Sequence, residues 1–284
     1  MILYHSIETI HAVVRDARDH GQSIGLVPTM GFLHAGHRSL IERACRENDR
    51  VIVSIFVNPT QFGPREDFTS YPRDLPQDLE ICQDAGADWV FAPDALEMYP
   101  SASLTGIDVS LLGDHLCGAS RPGHFRGVCL VVAKLFNICQ PDRAYFGEKD
   151  AQQLAIIRQM TSDLNFPVKI IGCPIVREAD GLALSSRNTY LSPAERQAAR
   201  VVPRAIGQAR QALLAGERDA DAIRRIMADE VAGEPLARAD YLEIADSRNL
   251  QPVSRIAGSV LVAAAVYIGR TRLIDNLTFI PEEG

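Results

Sequence analysis

Two histidines, His34 and His37, lie where the sequence changes from a strand pattern to a helix pattern. Residues Ile24–Val27 are apolar and strand-like, and Pro28 and Gly31 then break the strand. The helical pattern begins at His37. The pair therefore occupies a helix start, where free backbone N–H groups and the positive end of the helix dipole suit a phosphate. Imidazoles three residues apart project to one side of the first turn, and each can donate a hydrogen bond to a phosphate oxygen as charge develops there.

Two simpler interpretations of this pair stay open at this point. Histidines near a helix start can act as a solvated cap, or they can form half of a metal site. A zinc-binding helix spaces its histidines four residues apart, and no third ligand lies close by in the sequence. We therefore predict no metal site, and the phosphate hypothesis depends on a second group of polar residues elsewhere in the chain.

Such groups follow three predicted strands, at Asn58–Gln61, Gly147–Gln153 and Leu184–Arg187. Lys149 offers a compact positive charge after a glycine, and Ser185 to Arg187 offer two hydroxyls and a guanidinium. Each signal is weak alone. A lysine between two acidic residues is usually a solvated ion pair, and a serine-rich segment is often only a loop.

The elements around these loops indicate an α/β fold. A strand at Ile24–Val27, a helix at His37–Asn48 and a β-branched strand at Val51–Val57 predict a right-handed βαβ unit with a parallel sheet. Ligands of such sheets bind at the carboxyl ends of the strands. We also predict a short peripheral strand at Ile107–Leu112 and a long buried helix at Val128–Cys139.

The composition changes after Cys173–Val176, so we predict two domains. Residues 1–175 are predicted to form a Rossmann-like domain, and residues 176–284 a smaller C-terminal α+β domain. The elements predicted for the second domain are helices at Ala194–Leu214, kinked or restarted by Pro203, and Asp219–Val231, with strands at Ala239–Ala245 and Val260–Ile268.

Composition excludes several function classes. The chain has 284 residues, of which 46% are hydrophobic and 23% charged, as in a globular protein. It shows no signal-peptide pattern and no apolar run long enough to span a bilayer, so we expect a cytoplasmic protein without a membrane partner. The six cysteines form no Cys-x-x-Cys pair, which favours buried free thiols. The net charge of −7 argues against a nucleic-acid partner.

Taken together, these segments resemble the pantothenate synthetase (pantoate–β-alanine ligase) family. This family belongs to the nucleotidyltransferase superfamily, which shares the His-x-Gly-His signature with class I aminoacyl-tRNA synthetases. The resemblance covers essentially the whole chain, and Phe32 and Cys117 depart from the family pattern. The motifs that carry it are Pro28–His37, Phe56–Phe62, Ser120–Gly127, Tyr145–Asp150 and Asp180–Asn188.

The resemblance implies a two-step reaction. ATP and pantoate give pantoyl-adenylate and pyrophosphate, and the amine of β-alanine then attacks the acyl carbon to give pantothenate and AMP. Mg²⁺ is expected to accompany ATP, held mainly by phosphate oxygens. The resemblance also implies a homodimer formed through the N-terminal domain.

Residue roles carry over by matching motif positions. His37, His34 and Lys149 are the implied catalytic residues. Gln61 and Gln153 would bind pantoate, and Gln61 would also face β-alanine. The implied ATP-binding residues are Met30, Gly31, Phe32, Leu33, His34, Ala35, Gly36, His37, Gly147, Glu148, Lys149, Asp150, Val176, Leu184, Ser185, Ser186 and Arg187.

Two rival functions fit this pattern less well. Coupling of a phosphorylated small molecule to a nucleotide would need several basic contacts, whereas Gln61 and Gln153 are neutral and flanked by Phe62 and Val131. A tRNA-binding module related to the synthetases is opposed by the negative net charge and by the absence of a basic stripe in the sequence.

Overall fold

The computed structural model of the chain describes residues 1–64 and 66–281. The strands of these ranges are β1 Ile2–Tyr4, β2 Ile24–Thr29, β3 Arg50–Ile55, β4 Trp89–Phe91, β5 Arg143–Gly147, β6 Lys169–Cys173, β7 Ala237–Asp246, β8 Val260–Ile268 and β9 Thr271–Phe279. The helices are α1 Ile7–Asp19, α2 Ala35–Glu47, α3 Leu75–Asp84, α4 Ala95–Met98, α5 Cys117–Ser120, α6 His124–Cys139, α7 Ala151–Asp163, α8 Pro193–Ala198, α9 Val201–Leu214 and α10 Ala220–Ala232.

Strands β1 to β6 form one parallel sheet in the order β1-β4-β3-β2-β5-β6. The predicted α/β fold class is therefore confirmed. From β2 the chain continues to β3 on one side, and it later adds β5 on the other side of β2. Such a reversal of strand order opens a crevice at the carboxyl ends of the strands, where ligands of this class of sheet bind.

The β2-α2-β3 unit owes its order to continuous apolar runs. Val27 of β2 and Val51 and Val53 of β3 are fully buried, and they share a hydrophobic cluster with Leu40 and Ile41 of α2. Each such buried side chain stabilises the fold by about 1.5–3 kcal/mol. The packing fixes α2 against the sheet, and the start of α2 is thereby held at the end of β2.

Helix α6 approaches the turn after β3 very closely at Gly127. A Cβ atom at this position would lie 2.3 Å from the carbonyl oxygen of Thr60, a distance that real side chains do not tolerate. Only glycine permits this contact. The helix begins at His124, four residues earlier than the sequence pattern predicted, because the polar His124 and Arg126 interrupt the apolar run without ending the helix.

The second sheet is antiparallel, with the order β7-β8-β9, and helices α9 and α10 pack on it. Its core includes Val202, Ile206, Ile223 and Val262. These elements confirm the predicted smaller α+β part. The helix break falls at Ala199–Arg200, between α8 and α9, so Pro203 is the third residue of α9, where a missing N–H costs no intrahelical bond.

Residues 107–112, predicted as a strand, are not one. Residues 107–109 have no regular secondary structure, residues 110–112 form a turn, and three of the six residues are exposed. The alternation in this stretch therefore does not reflect pairing with a sheet. In contrast, the sequence pattern gave no prediction of the three-residue strand β1, which is defined by its pairing with β4.

The chain divides into two compact units. The first unit comprises Met1–Val109, Arg121–Glu148 and Gln153–Pro174, and the second comprises Ser110–Ser120, Lys149–Gln152 and Ile175–Gly284. Residues 110–120 and 149–152 thus precede residue 175 in sequence but belong in space to the second unit.

The cysteines carry free thiols. Burial raises the pKa of the Cys82 and Cys129 thiols to about 12, so both stay protonated near neutral pH. Cys139 and Cys173 are also buried, whereas Cys117 is half-buried. Within residues 1–64 and 66–281, no helix has both the length and the apolar character needed to cross a bilayer.

Candidate active site

The loop after β2 has a tightly constrained backbone. Gly31 and Phe32 have φ angles of 81° and 51°, in the left-handed region. A Cβ on Gly31 would lie 2.8 Å from Oδ2 of Asp78, so the glycine permits both the conformation and the close approach of the carboxylate. The Thr29 hydroxyl accepts a hydrogen bond from the Gly31 N–H at 3.2 Å and donates one to the Ser54 carbonyl at 2.7 Å.

Asp78, on helix α3, stabilises this loop by hydrogen bonds. Its carboxylate accepts hydrogen bonds from the backbone N–H groups of Phe32 at 2.9 Å and Leu33 at 2.6 Å, and the residue is 1% exposed. Burial raises the pKa of Asp78, and the two N–H donors oppose this shift. Sequence reasoning missed Asp78, because an acidic residue in a helix carries no signal that it bonds a loop 45 residues away.

We expect Asp78→Asn to destabilise the fold by about 1–3 kcal/mol, because the amide offers one acceptor oxygen to two N–H groups. The effect should depend on pH. Burial raises the folded-state pKa of Asp78, so its stabilising contribution is fully present below the unfolded value of about 3.9 and declines as pH rises through the folded pKa. Urea unfolding of the wild type and the variant from about pH 4 to 8 should therefore show a difference in the free energy of unfolding that decreases as pH increases. Asp84→Asn, at an exposed position of the same helix, is the control. A difference in unfolding free energy between wild type and Asp78→Asn that increases with pH would contradict this account.

His34 and His37 lie at the start of α2 with their rings 4.1 Å apart between centroids. His34 is the N-cap residue, and its Nδ1 accepts the N–H of Gly36 at 3.1 Å. Nδ1 of His37 accepts the N–H of His34 at 3.3 Å. Because each Nδ1 is an acceptor, the neutral form of each ring carries its proton on Nε2. Both imidazoles are thus set as Nε2–H donors, the form that a phosphate oxygen requires.

The turn after β3 fixes the orientation of Gln61. Asn58 is 1% exposed, and its Oδ1 accepts hydrogen bonds from the hydroxyls of Thr60 and Tyr99, both at 2.9 Å. Nδ2 of Asn58 therefore faces the Gln61 Oε1 at 3.0 Å and the Gly127 carbonyl at 3.1 Å. With its carbonyl oxygen occupied, Gln61 turns Nε2 toward Sδ of Met30, 3.2 Å away. The amide of Gln61 therefore has a fixed orientation, with its oxygen toward Asn58 and its nitrogen toward Met30.

The start of α6 is tied to the same turn. Nη1 of Arg121 lies 3.1 Å from Nε2 of His124, and Nδ1 of His124 lies 2.9 Å from the Gln61 carbonyl oxygen. Since arginine can only donate, His124 carries its proton on Nδ1 and donates it to Gln61. Burial opposes the ionisation of Glu66, but its hydrogen bonds with Arg121 prevail and lower the pKa of this carboxyl.

The other predicted nucleotide residues lie in two segments. Residues Glu148–Asp150 form a short 3₁₀ turn directly after β5, and Lys149 is half-buried with its Nζ 3.4 Å from Oδ2 of Asp150. In the other segment the N–H of Leu184 donates to the Val176 carbonyl at 3.0 Å, which pairs the two ends of a tight hairpin. Ser185 then caps a 3₁₀ turn by accepting the N–H of Arg187 at 3.3 Å.

The predicted site residues divide between the two units. Met30 to His37, Gln61, Gly147, Glu148 and Gln153 belong to the first unit, and Lys149, Asp150, Val176 and Leu184 to Arg187 belong to the second. Gln153 is half-buried on α7 and makes no hydrogen bond through its side chain with another described residue. Each unit thus carries a polar cluster that can bind an anionic ligand: imidazole and amide donors in the first, and an ammonium with hydroxyls in the second.

Comparison with known proteins places the chain among enzymes of one kind. The family model described as pantoate-beta-alanine ligase matches residues 2–278. The chain is 58% identical over 277 residues to a pantothenate synthetase of Heliobacterium modesticaldum and 56% identical over 278 residues to one of Clostridioides difficile, each match covering 98% of this chain and 99% of the relative.

Solved structures agree with this comparison. The crystal structure of a pantothenate synthetase from Thermus thermophilus has a TM-score of 0.94 and 45% identity, covering 99% of this chain and 100% of that one. A Francisella tularensis pantoate-beta-alanine ligase complexed with beta-gamma ATP and beta-alanine has a TM-score of 0.80 and 37% identity, covering 100% of this chain and 99% of that one.

Proposed function

This chain belongs to the pantoate–β-alanine ligase family, and we propose that it joins its two substrates through a pantoyl-adenylate intermediate. It is an enzyme of pantothenate biosynthesis, a carbon–nitrogen bond-forming ligase that binds ATP and condenses pantoate with β-alanine. A carboxylate oxygen of pantoate attacks the α-phosphorus of ATP, and pyrophosphate leaves. The amine of β-alanine then attacks the acyl carbon, and AMP leaves with the bonding electrons of the acyl–oxygen bond.

We assign the phosphate contacts of the first unit to His34 and His37. The observation that carries this assignment is the pair of Nδ1 acceptors, which leaves both rings as Nε2–H donors at a helix N-terminus. In-line displacement at phosphorus needs positioning and charge stabilisation rather than a protein nucleophile. Residues Met30 to His37 bind ATP in this proposal, with His37 acting on the transferring phosphoryl group.

Lys149 supplies positive charge to the same step. Gly147, Glu148 and Asp150 bind ribose and phosphates with it. Val176 and Leu184 to Arg187 close over the nucleotide, and the hydrogen bond between Leu184 and Val176 supports their acting as one segment. An adenylate hydrolyses readily in water, so a segment that covers it also protects the intermediate.

Pantoate binds to Gln61 and Gln153. The fixed amide of Gln61 presents N–H donors, which suit the carboxylate and hydroxyl oxygens of this substrate. A neutral amide also leaves the carboxylate nucleophilic, whereas a tightly paired arginine would reduce its reactivity. Gln61 faces β-alanine as well in this assignment.

We expect Gln153→Ala to raise the KM for pantoate by roughly 5- to 150-fold, the equivalent of about 1–3 kcal/mol for a lost buried hydrogen bond. The KM for ATP should change little. Steady-state kinetics with each substrate varied in turn measure both constants. Gln159→Ala is the matched control, because Gln159 is an exposed glutamine on the same helix. If Gln153→Ala leaves pantoate use unchanged, Gln153 is only a surface residue of α7.

We propose that Mg²⁺ enters with ATP and is held by phosphate oxygens and water. The donor set suits this arrangement: among residues 1–64 and 66–281 there is no group of three or more His, Cys, Asp or Glu side chains placed to hold a metal. Asp150, whose side chain is 46% exposed, would contact the hydrated ion. When bound, the ion neutralises phosphate charge.

Three broader assignments complete the proposal. We assign residues 1–175 to a nucleotide- and pantoate-binding domain and residues 176–284 to a lid domain. We also propose a homodimer formed through the N-terminal domain and a cytoplasmic location. Sedimentation of the purified protein tests the dimer.

Exchange of labelled pyrophosphate into ATP, measured with and without pantoate and in the absence of β-alanine, tests the proposed function. Exchange that requires pantoate is expected, because adenylate formation is reversible and precedes the amine. Pantothenate formation without any pantoate-dependent exchange would contradict the adenylate intermediate. Exchange that proceeds without pantoate would contradict the assigned first substrate.

A further inference from the structure

The segment that carries Lys149 is anchored in the second unit by its neighbours. Gln152 is 6% exposed, and its Nε2 donates to the carbonyls of Leu112 and His115, both at 2.7 Å. Its Oε1 accepts the N–H of Cys117 at 2.9 Å. These three bonds hold the segment at residue 152. None of them reaches the backbone of Lys149, which another residue holds.

Asn276, on strand β9, is that anchor. Its Nδ2 donates a hydrogen bond to the carbonyl oxygen of Lys149 at 2.8 Å, and the residue is 7% exposed. A hydrogen bond to the main chain fixes the position of the Lys149 Cα, from which the side chain extends, and does not involve the ammonium group. The position is buried and its amide donates to this carbonyl, so the contact sets the backbone of the lysine.

The neighbouring residue on β9 holds the other nucleotide segment. Asp275 is 2% exposed, and its carboxylate accepts two hydrogen bonds from Arg177, at 2.6 and 2.8 Å. Arg177 directly follows Val176 and pairs with Ala183, next to Leu184. Oδ1 of Asp275 also accepts the N–H of Asn276 at 2.8 Å. Two consecutive residues of β9 therefore hold both segments of the second unit that we assign to ATP.

We propose that Asn276 is a positioning residue for adenylate formation, acting through the backbone of Lys149. This inference rests on the role given to Lys149 in the proposed function. The ammonium group must meet the phosphoryl charge at one place, and a displacement of about 1 Å in such a group can reduce the rate by about 10²-fold. Loss of the Asn276 bond frees the Lys149 carbonyl to rotate and displaces the side chain that it carries.

The test compares Asn276→Ala with Thr278→Ala, an exposed position on the same strand. We expect Asn276→Ala to slow single-turnover formation of pantoyl-adenylate by about 10- to 100-fold. Its conversion of preformed pantoyl-adenylate and β-alanine to pantothenate should change little, because Lys149 acts in the first step. Thr278→Ala should behave as the wild-type enzyme in both half-reactions.

A double-mutant cycle with Lys149→Ala separates positioning from a general loss of structure. If Asn276 acts through Lys149, adding Asn276→Ala to Lys149→Ala should cause no further loss of adenylation. An equal further loss in both half-reactions would show a structural role and overturn the proposal. Should Asn276→Ala fail to fold, the nearly isosteric Asn276→Leu, which removes the donor without adding a charge, is measured in the same cycle.

The two levels of the proposal fail in different ways. Full adenylation activity in Lys149→Ala would contradict the assigned role of Lys149 and the positioning role together. A large loss in Lys149→Ala with wild-type adenylation in Asn276→Ala would overturn the positioning role alone and leave the proposed function standing.

Discussion

Replacing His37 with alanine is expected to slow pantoyl-adenylate formation by about 10²–10³-fold, the usual loss when one preorganised donor to a developing charge is removed. The Nδ1 of His37 accepts a backbone N–H, so Nε2 carries the proton of the neutral ring and is the donor in the proposed phosphate contact. The same substitution should cost the fold only about 0.5–1.5 kcal/mol, for one hydrogen bond at a half-buried position. Pyrophosphate exchange and thermal unfolding measure the two effects.

Arg38→Ala provides the control for His37→Ala. Arg38 is the next residue of α2, is exposed, and pairs with Glu42 one turn later. An exposed pair of this kind contributes little to stability, so we expect normal exchange activity. Near-normal exchange in His37→Ala itself would show that the imidazole does not act on the phosphoryl group.

The second large effect is expected for Lys149→Ala. Removing the ammonium should lower single-turnover adenylate formation by about 10²–10³-fold, because a positive charge at the transferring phosphoryl group acts mainly in the transition state. With preformed pantoyl-adenylate supplied, the variant should still make pantothenate at a much less reduced rate. Rapid-quench measurement of each half-reaction gives the two rates separately.

Lys169→Ala is the matched control, since Lys169 is an exposed lysine at the start of β6. It should leave both half-reactions unchanged. An equal decrease in the rates of both half-reactions in Lys149→Ala would contradict a role confined to the first step.

The parts of the fold that could be predicted from sequence are those set by local apolar patterns. The β-branched run of β3 and the helical spacing of Leu40, Ile41, Ala44 and Cys45 in α2 were sufficient for the βαβ unit. Strand β9 was not predicted, because the inward position of Asp275 interrupts the apolar alternation. That carboxylate is tolerated inside because Arg177 pairs with it, and a contact across 98 residues leaves no local signal.

The same distinction applies to the candidate site. The His34–His37 spacing indicated two imidazole donors, and the capping geometry agrees with donation from Nε2. From the sequence alone the amide of Gln61 could both donate and accept, whereas in the structure Asn58 occupies its carbonyl oxygen. Asp78 and Tyr99 had no motif to mark them. These residues act on other residues rather than on a ligand, and only the folded backbone brings them together.

The bond between Asn276 and Lys149 has a consequence for the order in which the enzyme is made. The two residues are 127 positions apart, so at about 5–20 residues per second the ribosome adds Asn276 roughly 6–25 s after Lys149. The first unit is complete in sequence at Pro174 and can fold during that interval. We therefore expect the parallel sheet to fold before strand β9 emerges. With the proposed role of Lys149, competence for adenylation should be acquired only when β9 pairs and Asn276 bonds to the backbone of that lysine.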